Sequence, residues 1–322
     1  MKNQIMSHAL PPSGNVLPKY AGLPTFMKLE QASATAPPDV VIIGVPFDNG
    51  STVRPGSRFG PRAIRDASTM LRPFHPAYGI SPFSQIIVAD GGDVAVNPLD
   101  FAASMSAIED EVSRWRRRGS RVLAIGGDHL ISLAVLRGKS DAVPYAVVHL
   151  DAHSDTEDEF LGSRYNHGTV FRRAIEERLV SPPAFFQIGL RGTTYGIQEY
   201  DFARGQGLTL FFSEEAEALG AEAVARHIRK VVGDLPVYVS FDIDGIDATY
   251  CPGTGTPEIG GLDVKFCLRL LRELRGLTIV GADVVEVSPP FDVGQQTSLV
   301  AAHLLFELLC LLTLAPPRKD AP

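Results

Sequence analysis

Cysteine and positive charge are both scarce in this chain, and each shortage removes a class of function. Cys251, Cys267 and Cys310 are the only cysteines among 322 residues, with no paired spacing and no Cys-x-x-Cys. A disulfide-stapled scaffold is excluded, and reduced thiols in a cytoplasmic protein are expected. A formal net charge of -7 argues against nucleic acid and against an anionic membrane surface as partners. No apolar run reaches the roughly 18 residues of a membrane span. The first residues, Met1-Lys-Asn-Gln-Ile-Met-Ser-His8, lack the apolar core of a signal peptide. Between residues 39 and 312 there is no linker, repeat or low-complexity stretch.

The residues that are present are ample for one core, at 45% hydrophobic. Residues 1–38 are Pro-rich and aperiodic, and read as an extended arm or a partner-contacting segment. Residues 39–322 read as one domain. Apolar runs at 40–45, 86–89, 122–125, 145–150, 184–188, 208–212, 237–241 and 279–285 predict strands. Helices are predicted from Gly60 onward, with Pro61 in the first turn, and over 100–118, 131–138, 168–179, 214–232, 263–275 and 297–312. Strands alternating with helices imply an α/β fold with a parallel sheet covered on both faces.

Three predicted strands end in polar residues of one chemical kind. These are Val122-Leu-Ala-Ile-Gly-Gly-Asp-His129, Tyr145-Ala-Val-Val-His-Leu-Asp-Ala-His-Ser-Asp155 and Val237-Tyr-Val-Ser-Phe-Asp-Ile-Asp244. In a strand, residues two apart share a face, which pairs Asp151 with His153 and Asp242 with Asp244. Open α/β sheets build their sites at the carboxyl ends of strands. Carboxylates and imidazoles converging from three such ends need a cation between them, so the pattern predicts a metal site with two ions.

These motifs resemble the three signatures of the ureohydrolases, the family of arginases, agmatinases and relatives. Gly126-Gly-Asp-His129, Asp151-Ala-His-Ser-Asp155 and Ser240-Phe-Asp-Ile-Asp-Gly-Ile-Asp247 carry the resemblance. Further matches are Gly44-Val-Pro-Phe-Asp48, Arg54-Pro-Gly-Ser-Arg-Phe-Gly-Pro-Arg62, Pro252-Gly-Thr-Gly-Thr-Pro257 and Asp283-Val-Val-Glu-Val-Ser-Pro289. The resemblance implies an arginase-like three-layer α/β/α sandwich on a mostly parallel sheet of about eight strands, and a homo-oligomer, trimer or hexamer. It implies one Mn²⁺ held by His129, Asp151, Asp155 and Asp242, and a second held by Asp151, His153, Asp242 and Asp244. The ligand types also admit Ni²⁺ or Co²⁺. The implied reaction is attack of hydroxide on a guanidinium carbon, followed by expulsion of an amine to leave urea. Beside the metal ligand Asp155, His167 matches the histidine for proton transfer and Glu286 the carboxylate that pairs with the guanidinium. Asn166 and Thr256 lie in the same substrate-side motifs.

Within the family, the runs 171–177, 187–191 and 286–292 resemble the bacterial guanidinobutyrases and guanidinopropionases more than arginase. That implies 4-guanidinobutanoate or 3-guanidinopropanoate as substrate, with agmatine or another small guanidine as the alternative. Arg164, three residues before His167, is the expected cation for the acid's carboxylate. Glu157, Asp158 and Glu159 in the same loop would suit agmatine's ammonium, and Phe160 is expected to narrow the pocket. Ala248 and Cys251 depart from the family pattern in the turn beside the substrate. A catalytically silent subunit and a metal-dependent deacetylase are the readings from other classes; complete metal motifs argue against the first, and the paired aspartates against the second.

Overall fold

The protein was analysed as a computed structural model, which describes residues 10–33, 35–138 and 143–316. Eight strands form one sheet: β1 Val40–Gly44, β2 Val88–Asp93, β3 Arg121–Ile125, β4 Tyr145–Leu150, β5 Val180–Leu190, β6 Thr209–Phe212, β7 Val237–Asp242 and β8 Ile279–Val285. Their order is β2-β1-β3-β8-β7-β4-β5-β6, and every pairing is parallel. The chain runs from β3 to β4 across a gap that β7 and β8 fill later. The three polar strand ends, on β3, β7 and β4, therefore end up in one central group with β8, at the crevice where such sheets bind ligands.

The helices are α1 Gly60–Ser68, α2 Phe101–Arg116, α3 Ile131–Arg137, α4 Val170–Glu176, α5 Asp201–Gln206, α6 Ser213–Leu219, α7 Ala221–Val232, α8 Val264–Glu273 and α9 Gln296–Leu314. One apolar core joins α1, α6, α7, α8 and α9 to one sheet face, and a second joins α2 to α5 to the other. Strand alternation sorts the residues: in β1, Val40 and Ile42 enter the first core, Val41 and Ile43 the second. This is the expected three-layer sandwich. Helix α9 is long and apolar enough to cross a membrane, yet 72% of its apolar window is buried inside the fold. It is a core helix packed on α1, α8 and β8.

Several boundaries differ from the sequence reading for identifiable reasons. The expected strand 86–89 is β2, displaced to Val88–Asp93 because Asp90 and Asp93 carry the pairing with β1 past the apolar run, across a register shift at Gly91 and Gly92. Gly220, at φ 81°, divides the expected helix 214–232 into α6 and α7. Helix α4 begins only at Val170, after a single 3₁₀ turn at His167–Thr169. Before β1, Phe26, Met27 and Leu29 are buried in the first core, so this stretch packs against the domain.

Close packing holds the first metal motif in place. The Gly127 amide donates to the Val45 carbonyl at 2.9 Å and its carbonyl accepts from the Glu286 amide at 2.8 Å. A Cβ on Gly127 would stand 1.8 Å from the Phe47 carbonyl oxygen, which is backbone and has no rotamer to move away. Gly127→Ala is expected to destabilise the fold by on the order of 3 kcal/mol or more, the range of backbone clashes in a packed core. Chemical denaturation of wild type and variant measures this; an unchanged midpoint would contradict the packing described.

Candidate active site

The site is assembled from chain segments just past four adjacent strands. His129 follows β3, Asp151 follows β4, Asp242 ends β7 and Glu286 follows β8. His129 Nδ1 lies 3.1 Å from Asp151 Oδ2, 3.0 Å from Asp155 Oδ2 and 3.1 Å from Asp242 Oδ2. His153 Nδ1 lies 3.4 Å from Asp151 Oδ1 and 3.2 Å from Asp244 Oδ2. All six expected ligands thus converge into two adjoining clusters, and Asp151 gives one oxygen to each. Asp242 reaches the His129 side through Oδ2, while its Oδ1 accepts the Asp244 amide at 2.9 Å.

The electrostatics are those of a cation site. Burial, then repulsion from Asp244 and Asp151, pushes the Asp242 carboxyl well above its ordinary range. Burial and Asp151 push Asp155 the same way. His129 is fully buried, and its Nδ1 has no hydrogen-bond partner although three carboxylates surround it. Its other nitrogen, Nε2, sits 2.9 Å from Ser240 Oγ, and the Ser240 hydroxyl donates to Asp283 Oδ1 at 2.7 Å. Serine can do both only if it accepts from Nε2–H, which turns Nδ1 toward the carboxylates. Burial works against charge on this ring, but the Asp151, Asp155 and Asp242 carboxylates outweigh it and hold the imidazolium well above its ordinary range. A divalent ion that displaced the Nδ1 proton would meet one imidazole nitrogen among three carboxylates, a donor set suited to it.

Backbone strain shapes the same corner. Asp155 has φ 53° and Glu286 φ 63°, the left-handed region that non-glycine residues rarely occupy. The turn at Asp155 brings its carboxylate back toward His129, and the turn at Glu286 brings its side chain beneath His167.

Glu286 Oε1 accepts from the His129 amide at 2.8 Å and lies 3.0 Å from His167 Nδ1; Oε2 is buried and has no partner. Burial works against charge on His167, but the adjacent Glu286 carboxylate outweighs it, and the imidazolium is held up to about 9. His167 Nε2 meets Thr52 Oγ1 at 2.8 Å, and the His167 amide donates to the Gly50 carbonyl at 3.1 Å. Asn166 forms a capping box with Thr169 that fixes the turn carrying His167.

A cavity of about 360 Å³ opens over these groups, lined among others by His153, Asp155, Asn166, His167, Asp242 and Thr256. Phe160 lines it as expected, and Val53, Tyr195, Glu199 and Glu258 join it without having been foreseen. Thr256 donates to Asp244 Oδ2 at 3.2 Å, which ties it to a metal-cluster carboxylate. Arg164 is not brought to the cavity. Its guanidinium pairs with Glu176 at 3.1 Å and Asp158 at 3.5 Å on an exposed network that also holds Arg172 and Arg173. Among the described residues that line the cavity there is no lysine or arginine, and there are three glutamates: Glu157, Glu199 and Glu258. Burial, and then Glu199, pushes the Glu157 carboxyl up.

Known proteins place this arrangement. The family described as the Arginase family matches residues 38–311. A guanidinopropionase of Pseudomonas aeruginosa is 47% identical over 97% of this chain and 98% of its own length. A guanidinobutyrase of the same organism is 43% identical over 94% of this chain and 96% of its own. The solved structure of proclavaminate amidino hydrolase from Streptomyces clavuligerus superposes with a TM-score of 0.88 at 43% identity, covering 92% of this chain and 99% of that one. The chain belongs to the arginase family, as a ureohydrolase that acts on the C–N bonds of guanidino compounds.

Proposed function

We propose that this ureohydrolase uses two Mn²⁺ ions to cleave a linear guanidino acid, 4-guanidinobutanoate or 3-guanidinopropanoate, into urea and an amino acid. The observation that carries the chemistry is the pair of clusters sharing Asp151, lying beside the His167–Glu286 pair. His129, Asp151, Asp155 and Asp242 would hold one ion, and Asp151, His153, Asp242 and Asp244 the other. When bound, the ions supply an acidified water as nucleophile and positive charge against the charge that develops on the substrate. The bare Glu286 Oε2 is the group in this chain suited to the guanidinium. His167, kept protonated by Glu286, can hand its proton to the departing amine. The Phe160 wall limits the length of the tail.

Guanidinopropionase and guanidinobutyrase among the relatives support the acid as substrate. A second reading, an amine-tailed guanidine such as agmatine, is favoured by one observation, the three cavity glutamates. Three buried free cysteines support a cytoplasmic location. Residues 39–322 as the catalytic domain, 1–38 as its arm, and a trimeric or hexameric assembly complete the proposal.

Asp242→Ala should lose at least one ion per chain and nearly all urea release; elemental analysis beside a urea assay checks both, and full metal content with normal turnover would contradict the site. His167→Ala should lower kcat by roughly 10²–10⁴-fold, the span of general acid–base effects, with metal content intact; an unchanged kcat would remove His167 from proton transfer. For the tail, kcat/KM measured over a guanidine panel should rank the two acids above agmatine and arginine. Glu258→Gln should raise kcat/KM for the acids and lower it for agmatine, because it removes a like charge for one and a counter-charge for the other. Arg164→Ala should leave the acids' KM within about twofold, as expected of an exposed ion pair. Agmatine as the best substrate would select the second reading.

A further inference from the structure

We infer that His149 is a positioning residue for the metal centre, its Nε2–H donating to Asp151 Oδ2 so that the shared carboxylate keeps one oxygen turned toward each cluster. This rests on the two-ion reading above.

His149 is fully buried on β4, on the face whose other residues, Tyr145 and Val147, belong to the second apolar core. A polar side chain there needs partners. It belongs to a row. In the sheet register Gln187 of β5 pairs with His149, His149 with Ser240 of β7, and Ser240 with Asp283 of β8. Four neighbouring strands thus each place one buried polar residue at the same level, directly beneath the aspartates. Asp283 and Ser240 support His129, as described. Gln187 and His149 support Asp151.

Hydrogen-bond bookkeeping assigns the tautomer. Gln187 Nε2 donates to the Ser154 carbonyl at 2.5 Å, and Gln187 Oε1 accepts from Ser154 Oγ at 2.9 Å, so the amide orientation is fixed. The same Nε2 lies 3.4 Å from His149 Nδ1. An amide NH₂ only donates, so Nδ1 accepts and the ring hydrogen sits on Nε2. Nε2 is 2.7 Å from Asp151 Oδ2. His149 stands close enough to His129, Asp151 and Asp155 to join a metal cluster, but with both ring nitrogens occupied it acts as a donor to Asp151 and not as a ligand. The Phe171 ring, 4.3 Å away between centroids, and Phe185 hold the imidazole in plane.

The bond has a specific consequence for Asp151. Its Oδ1 accepts the His153 amide at 2.6 Å and faces His153 Nδ1, while Oδ2 faces His129 Nδ1. One fixed donor on each oxygen locks the carboxylate plane. Without the His149 donor, Oδ2 is free to rotate away from the His129 side.

The test uses full-length protein stripped of metal and titrated with Mn²⁺ alone, read by calorimetry and by the rise in unfolding temperature on metal addition. His149→Phe fills the same aromatic niche without a donor; His149→Gln places an amide Nε2 near the original one. Outer hydrogen-bond partners of metal ligands typically contribute 10–100-fold in metal affinity. His149→Phe should therefore weaken the tighter of two Mn²⁺ binding steps by about that factor, and His149→Gln should recover most of it. If His149→Phe does not fold, Gln187→Met, which leaves His149 in place but releases its tautomer, should give a smaller loss in the same direction. Folded His149→Phe with wild-type Mn²⁺ affinity, or equal losses in the Phe and Gln variants, would overturn the role of His149. Wild-type protein that binds no second Mn²⁺ would instead overturn the two-ion reading.

Discussion

Asp151, Asp155, Asp242 and Asp244 are all buried, each with a carboxylate oxygen within 3.2 Å of the His129 or His153 imidazole, and the rest of the active corner follows from that constraint. Desolvation and mutual repulsion both oppose ionising such a group, which is why Asp155 and Asp242 are pushed up, whereas at Asp151 burial is outweighed by the adjacent His149, His129 and His153, which hold the carboxyl well below its ordinary range. The fold opposes this by holding the backbone rigid. Asp242 and Asp244 are joined by a side-chain-to-amide bond across a 3₁₀ turn, Asp155 is fixed in a left-handed turn, and Gly127 is wedged against the loop at Val45–Phe47. The chain cannot relax the repulsion by spreading apart, so positive charge must compensate it: the His129 and His153 imidazoles, held well above their ordinary range by these carboxylates against burial, supply some, and a bound cation would supply more.

A second layer of polar contacts decides how the ligands face. The row Gln187, His149, Ser240 and Asp283 crosses the sheet below the aspartates inside an otherwise apolar core. Gln187 is satisfied by Ser154 and His149, and Asp283 by Ser240, Ser132 and Tyr238, so the row costs little in unpaired groups while it orients His129 and Asp151. Glu286 links this layer to the substrate side: one oxygen ties the His129 amide to His167, and the other stays bare. The carboxylate that charges His167 is thereby also the one suited to the guanidinium.

The strand ends and the six residues that converge there were legible because apolar runs stop abruptly at acidic and imidazole residues. The reason given by strand geometry was only half right. Strand β4 stops at Leu150 and β7 at Asp242, so His153 and Asp244 reach their partners through turns and not along a strand face. The supporting row was visible as single polar residues inside runs such as Tyr145-Ala-Val-Val-His-Leu150, but Gln187 and His149 lie 38 residues apart and Ser240 and Asp283 43, and the two pairs become neighbours only through the sheet order. Positive φ at Asp155 and Glu286 has no sequence signal at all, since neither is glycine. Thr52 was hidden for another reason. It sits in a loop between two motifs, and only the fold brings it 115 residues across to His167. Arg164 was misplaced because proximity in sequence to His167 ignored the acidic neighbours Asp158 and Glu176, which take up its charge.

Chemistry and selectivity are built on different materials in this protein. The proposed ligands, Glu286 and their supports stand on central strands or on turns directly tied to them, and all but His153, whose side chain is 34% exposed, are buried. The tail end of the cavity is formed by loops: Val53, Phe160, the 193–199 segment and Glu258. A loop side chain can be exchanged without disturbing the charge balance of the buried aspartates. That separation explains why motif residues identify the reaction while the tail must be argued from charge at the rim. There the two lines of reasoning pull apart, because the relatives include hydrolases of guanidino acids and the rim is acidic. Coulomb repulsion at a solvated rim is weak compared with the pairing that a buried carboxylate such as Glu286 would offer a guanidinium. An acidic rim would therefore attract the cationic guanidinium end of an acid as well as of an amine.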